Sequence, residues 1–246
     1  MHNPENTPPQ HVLEYGYTAA DWHWHPNGGG WVHRTAFVAD TAYVGPNAVV
    51  SGDAVVFGNA RVLGYAMVLD RAVVFGNAEV YGHAVVSGSA WVGDNAEVSG
   101  TAKVCDNAWV FGDAEVGDNA EVSGSARIFG FAVVNGDAKV FGSAVVSGDA
   151  VVCGSARVYS GEWKVSPPYI QGTRHALTLS SFTEITIGCQ THPIPYWLEY
   201  GEAIWRSHGY SDAEIAEYRL HIEHLARLAE RLGADNLLPS RKEERQ

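Results

Sequence analysis

From Ala36 to Ala156 small and branched apolar residues recur with a period of six. Ala occupies all 21 successive sixth positions, and two residues on stands Val in 20 units and Ile128 in the other. In each Ala-x-Val triplet the Ala and Val point to one side of an extended chain and the middle residue to the other. The positions between triplets are rich in Gly, Asp, Asn and Ser. These residues accept positive φ or bond their own backbone, so each short strand is followed by a turn. VGDNAEV occurs twice, at Val92–Val98 and Val116–Val122.

Units of six close after three sides, whereas a four-sided solenoid would need units of five. Three units make a coil of 18 residues and 21 units make seven coils, a prism about 33 Å long at ordinary strand spacing. The predicted fold is mainly β, a triangular parallel β-helix of about seven coils over residues 35–161, filled by ladders of Ala and Val. Residues 1–34 form a capping segment, 162–236 a small C-terminal α+β or helical module, and 237–246 a flexible tail.

The outward residues sort by position within the coil. One face carries Phe37, Val55, Val73, Trp91, Trp109, Arg127 and Val145, with Phe57, Phe75, Phe111 and Phe129 beside them. A second carries Arg61, Glu79, Glu97 and Glu115, and a third Lys103, Glu121, Lys139 and Arg157. An aromatic stripe of that length exceeds an ordinary exposed apolar patch. Phe57, Phe75, Trp91, Trp109, Phe111 and Phe129 are therefore the expected interface of a homo-oligomer, a dimer or trimer. The alternatives are a lid from the chain's own C-terminal helices and a stacking platform for a ligand.

Before the repeat lies an aromatic and histidine cluster, Trp22, His23, Trp24, His25 and Trp31. Its tryptophans are expected to cap the first coil, whose open strands would otherwise pair with other molecules. His23 and His25 alone lack a third ligand for a metal. After Gly161 the frame is lost. Strands are expected near Ala176–Leu179 and Glu184–Ile187, then a helix from Pro195 to Ser207. A second helix is expected from the Ser211/Glu214 capping box to Gly233, with Ile215, Tyr218, Ile222, Leu225 and Leu228 on its apolar stripe.

Composition narrows the partners. The formal net charge is −12, which argues against a nucleic-acid backbone or an anionic membrane surface as the main partner. No run approaches the roughly 18 apolar residues of a membrane span, and Met1–Gln10 lacks the apolar stretch of a signal peptide. Three cysteines, Cys105, Cys153 and Cys189, have no framework spacing. An odd, sparse set points to reduced thiols and a cytoplasmic setting.

The copies VGDNAEV and VSGSARI (Val122–Ile128) resemble the bacterial hexapeptide-repeat proteins, over about half the chain. That resemblance implies a left-handed coil; the period itself leaves handedness open, and the usual crossover rule favours the other hand. The GGGWV segment, Gly28–Val32, resembles the lead-in of the YdcK-like or polymer-forming group, found in bacteria and phages. GTRHALT (Gly172–Thr178) and IGCQTHPIPYWLE (Ile187–Glu199) resemble a module of unknown activity that follows such repeats in phage-borne and bacterial proteins.

Hexapeptide acyltransferases place a catalytic His on a loop that interrupts the coils. Here nothing interrupts the frame, and His83, at a turn position, is the only His between Ala36 and Gly161. The three zinc-binding His of γ-type carbonic anhydrases are likewise lacking. The remaining constellation is Arg174, His175, Cys189, His192 and Trp197. His175, Cys189 and His192 could hold a zinc ion, or Cys and His could pair as nucleophile and base. Their plainer role is structural, and no cofactor is expected. The leading expectation is a non-enzymatic oligomeric scaffold or binding protein. The alternatives are a binder that sequesters a small anionic nucleotide signal at Arg174 and His175, and a degenerate acyltransferase.

Overall fold

The computed structural model describes residues 18–237. The first 17 residues of the expected cap, and the expected tail beyond Leu237, lie outside the described residues. The six-residue frame folds into three stacks of two-residue strands, each residue pairing with the one 18 positions on, as in Phe37↔Val55, Tyr43↔Arg61 and Val49↔Met67. The aromatic, acidic and mixed-charge faces lie on sheets of eight, seven and nine strands, giving about seven parallel turns. The Ala and Val ladders fill the prism, and from Ala42 to Val158 both are buried in every unit. A branched Cβ suits the pleat, while Ala leaves room near each corner.

The turns are as regular as the strands. Asp70, Asp94, Asp106 and Asp118 adopt left-handed φ of 55–61° where the other coils use Gly. Each carboxylate accepts the N–H of a Gly one coil further on, at 2.9 Å for Asp70 and Asp106, 3.0 Å for Asp118 and 3.1 Å for Asp94. This bond offsets the cost of left-handed geometry, which a non-Gly residue otherwise bears. Asn59, Asn77, Asn95 and Asp113 join their side chains from coil to coil along one edge, at 3.0–3.2 Å.

Each end of the prism is covered in part: among the described residues the aromatic sheet still ends on Phe37–Val38 at one end and the acidic sheet on Val151–Val152 at the other. Trp22–Trp24 pairs antiparallel with Trp31–His33, whose other edge carries Val49–Val50. Trp22, Trp31 and Val49 bury one another outside the sheet, with Trp24 and Met67 packed against them. The capping tryptophans thus cover the edge and the outer side of the mixed-charge sheet. Gly30 donates its N–H to Val44 O at 2.9 Å, and a Cβ on Gly30 would lie 2.4 Å from Gly45 O. Only a glycine brings the backbone this close to the first coil. At the far end the register shortens from 18 to 17, with Val145↔Glu162 and Val146↔Trp163, so the solenoid runs beyond Gly161. Trp163 takes an inward position and is buried.

The C-terminal module sits on that last coil. It is a four-stranded antiparallel sheet of Tyr169–Gln171, Ala176–Ser181, Glu184–Ile187 and Gln190–Pro193, two strands more than the sequence predicts. Two helices follow, α1 (Ile194–Ser207) and α2 (Asp212–Leu237). The capping box of α2 forms: Ser211 Oγ donates to Glu214 Oε2 at 2.8 Å, and Glu214 N–H donates back to Ser211 Oγ at 3.3 Å. The helix does not stop at Gly233, which keeps out of the left-handed φ of a helix-ending glycine and lies against Phe182, 3.6 Å from where its Cβ would be. Tyr159 N–H donates to Ser180 O at 3.1 Å, and Phe182 packs 4.7 Å from Trp163. No helix among the described residues is long and apolar enough to cross a membrane.

Candidate functional site

Two surfaces stand out. The first is the aromatic face. Coil-to-coil stacking places Phe57 on Phe75 at 5.5 Å, Trp91 on Trp109 at 5.5 Å and Phe111 on Phe129 at 5.1 Å, with interplanar angles of 9–16°. Edge contacts link the pairs, Phe75 to Trp91 at 6.0 Å and Trp109 to Phe111 at 6.4 Å. Arg127 adds its guanidinium 5.5 Å from the Trp109 ring. The phenylalanine ladder is broken once, at Gly93, where a Cβ would meet the Phe75 ring at 2.1 Å. Phe75 leans into that gap, and a shallow apolar notch of about 170 Å³ opens between Phe75, Trp91, Trp109 and Phe111. Trp91 and Trp109 remain 41 % exposed and Phe57 40 %. The chain's own helices sit at the end of the prism.

The second surface is a cleft of about 400 Å³ in the C-terminal module. Its floor comes from α1. Trp197, Gly201 and Trp205 follow one another at four-residue spacing, so they share one side of the helix. Gly201 lets the Trp205 ring lie across the helix, 2.7 Å from where a Cβ would stand. Trp197 Nε1 donates to Ile185 O at 2.8 Å, and the two indoles lie 6.0 Å apart and 6° from parallel. The rim is the hairpin turn at Gly188–Cys189 and the loop that carries His175. His175 packs against Gly188, whose φ is +59°.

His175, Cys189 and Trp197 therefore meet at one cleft, with an exposed thiol. His192 stacks on Tyr196 at 4.4 Å, with Trp197 edge-on at 4.9 Å. Among the described residues no three His, Cys, Asp or Glu side chains stand close enough to hold a metal ion. Sequence reading missed the remaining wall, Trp205, His208 and Tyr210. The four-residue spacing of Trp197, Gly201 and Trp205 was the available signal.

Arg174 stands behind the cleft. Its guanidinium lies 4.4 Å from the Tyr210 ring and forms a two-pronged ion pair with Glu214, at 2.7 and 3.1 Å. It also donates to Gly209 O at 2.9 Å. Hydrogen bonding from Arg174, followed by the Ser211 amide and hydroxyl, lowers the Glu214 carboxyl from 4.5 to about 2. Burial raises Tyr210 to about 12, so its phenol stays neutral. Because the folded pKa of Glu214 is depressed, its contribution is full above about 4.5 and is lost as pH falls through about 2. Acid titration followed by near-ultraviolet circular dichroism should show the module loosening in that window, and Glu214→Gln should abolish this contribution. An unchanged acid transition in the variant would remove Glu214 as the group responsible.

A family description, YdcK Beta solenoid repeat, matches residues 78–94, one coil in the middle of the prism. No curated protein and no solved structure matches the chain. The coils on either side of the matched segment repeat its frame without interruption. The matched repeat and the roughly seven turns built around it together support a YdcK-like β-solenoid protein.

Proposed function

We propose that this protein is a non-enzymatic β-solenoid scaffold whose aromatic face packs against further copies of the same chain. The observation that carries this reading is the half-exposed Trp91–Trp109 pair at the centre of a stacked aromatic ladder. The partner is a second copy because any other copy presents aromatic rungs at the same coil spacing, so two ladders can mesh in step. The face is also poor in charge: Arg127 interrupts its outward rungs, while the acidic face aligns Glu79, Glu97 and Glu115. A contact between aromatic faces would therefore avoid setting the −12 charges against one another. Arg174, on which an anionic-ligand reading depends, is engaged by Glu214, so the scaffold reading takes precedence.

Native mass spectrometry, compared with the denatured mass, tests it. A dimer or trimer is expected at micromolar concentration. A monomer would overturn the proposal.

A further inference from the structure

We propose that the C-terminal cleft binds a small, planar, uncharged heteroaromatic molecule with an N–H donor. Its volume of about 400 Å³ falls in the range of small-molecule sites, and like them it is apolar with a few polar groups at the rim. The floor is aromatic, built from Trp197, Trp205 and Tyr210, and Ile187 and Ile204 narrow its sides. Flat apolar rings are what such a floor contacts best.

Charge decides the rest. No carboxylate, ammonium or guanidinium lines the cleft. The cation Arg174 is held behind Tyr210 by Glu214 and the Gly209 carbonyl. A charged ligand would be desolvated there without a partner. The hydrogen-bonding preference comes from His208. Its Nδ1 donates to Ile204 O at 2.8 Å, so the neutral ring offers Nε2 as an acceptor. The opposite rim is fixed before any ligand arrives. Tyr218 Oη donates to His175 O at 2.8 Å and accepts the Arg174 N–H at 3.0 Å, and Thr173 N–H donates to Glu217 at 2.9 Å. A rim anchored in this way loses little freedom on binding.

The test compares three probes on the full chain at pH 7.5 by ligand-observed saturation-transfer NMR: indole, 1-methylindole and indole-3-acetate. Indole should bind, and the other two should be at least about fivefold weaker, since one lacks the N–H and the other carries an unpaired charge. Ile204→Trp, which fills the cleft, should lose the indole signal. The comparison of probes on the unaltered protein tests the idea even if that variant misfolds. Absence of transfer from indole would overturn the proposal. So would equal binding of indole-3-acetate or 1-methylindole, or full indole binding by an Ile204→Trp protein with native circular dichroism.

Discussion

Trp91→Glu combined with Trp109→Glu is expected to release monomers from the proposed homo-oligomer while leaving the solenoid folded. Both side chains point outward from neighbouring coils, and the residues behind them, Val92 and Val110, stay buried in the prism. The interior and the coil-to-coil hydrogen bonds are therefore untouched. At the proposed interface each substitution removes an aromatic anchor, and central aromatic residues often contribute about 2 kcal/mol or more. Each also introduces a carboxylate that the contact would bury without a partner, at several kcal/mol more. A combined loss above about 4 kcal/mol corresponds to a dissociation constant weakened about a thousandfold. Sedimentation velocity should then report one chain mass, and far-ultraviolet circular dichroism should be unchanged. An oligomer of the original mass would place the contact on another surface.

The second large effect belongs to the turns. Gly100→Val should destabilise the solenoid severely, by more than about 3 kcal/mol, from backbone strain and steric clash together. Gly100 has φ of +66°, and a Cβ there would stand 2.6 Å from Asp118 O and 2.8 Å from Asp118 N. Those atoms belong to the next coil, so relief would require separating the two coils. The informative contrast is Asp106, at a corresponding turn position. Asp106→Gly should cost less than Asp106→Ala. Both lose the bond to the Gly124 N–H, but Gly alone escapes the left-handed penalty, about 1–2 kcal/mol. Thermal unfolding of the three variants would show the order. A Gly100→Val protein melting with the unaltered chain would refute the clash, and an Ala variant as stable as the Gly variant would refute the strain.

These turns also explain why one sequence feature looked degenerate. The repeat admits Gly or Asp at the same turn position because both can occupy left-handed φ, one for want of a Cβ and the other through its carboxylate bond to the next coil. Elsewhere the sequence misled at particular residues. Gly233 looked like a helix stop, since glycine commonly ends helices. Packing against Phe182 instead accommodates it within α2. Similarly, loss of the six-residue frame after Gly161 hid the rung at Glu162–Trp163, because one residue fewer moves every later position out of phase.

The sequence by itself determined the solenoid: its period, its interior of Ala and Val, its number of coils and the sorting of outward residues into three faces. It could do so because each coil contacts only its neighbours, at a fixed separation of 18 residues. A local pattern there is also the tertiary pattern. It determined the Ser211–Glu214 capping box for the same reason, since its partners are three residues apart. Only the tertiary structure decided how the ends close and what the C-terminal module brings together. Arg174 meets Glu214 across 40 residues and Thr173 meets Glu217 across 44, contacts that no period announces. The same long-range packing placed His175, Cys189 and Trp197 around one cleft and left His192 stacked on Tyr196. In that module helix and sheet are fixed by each other's surfaces, and the chemistry of the cleft follows from their docking.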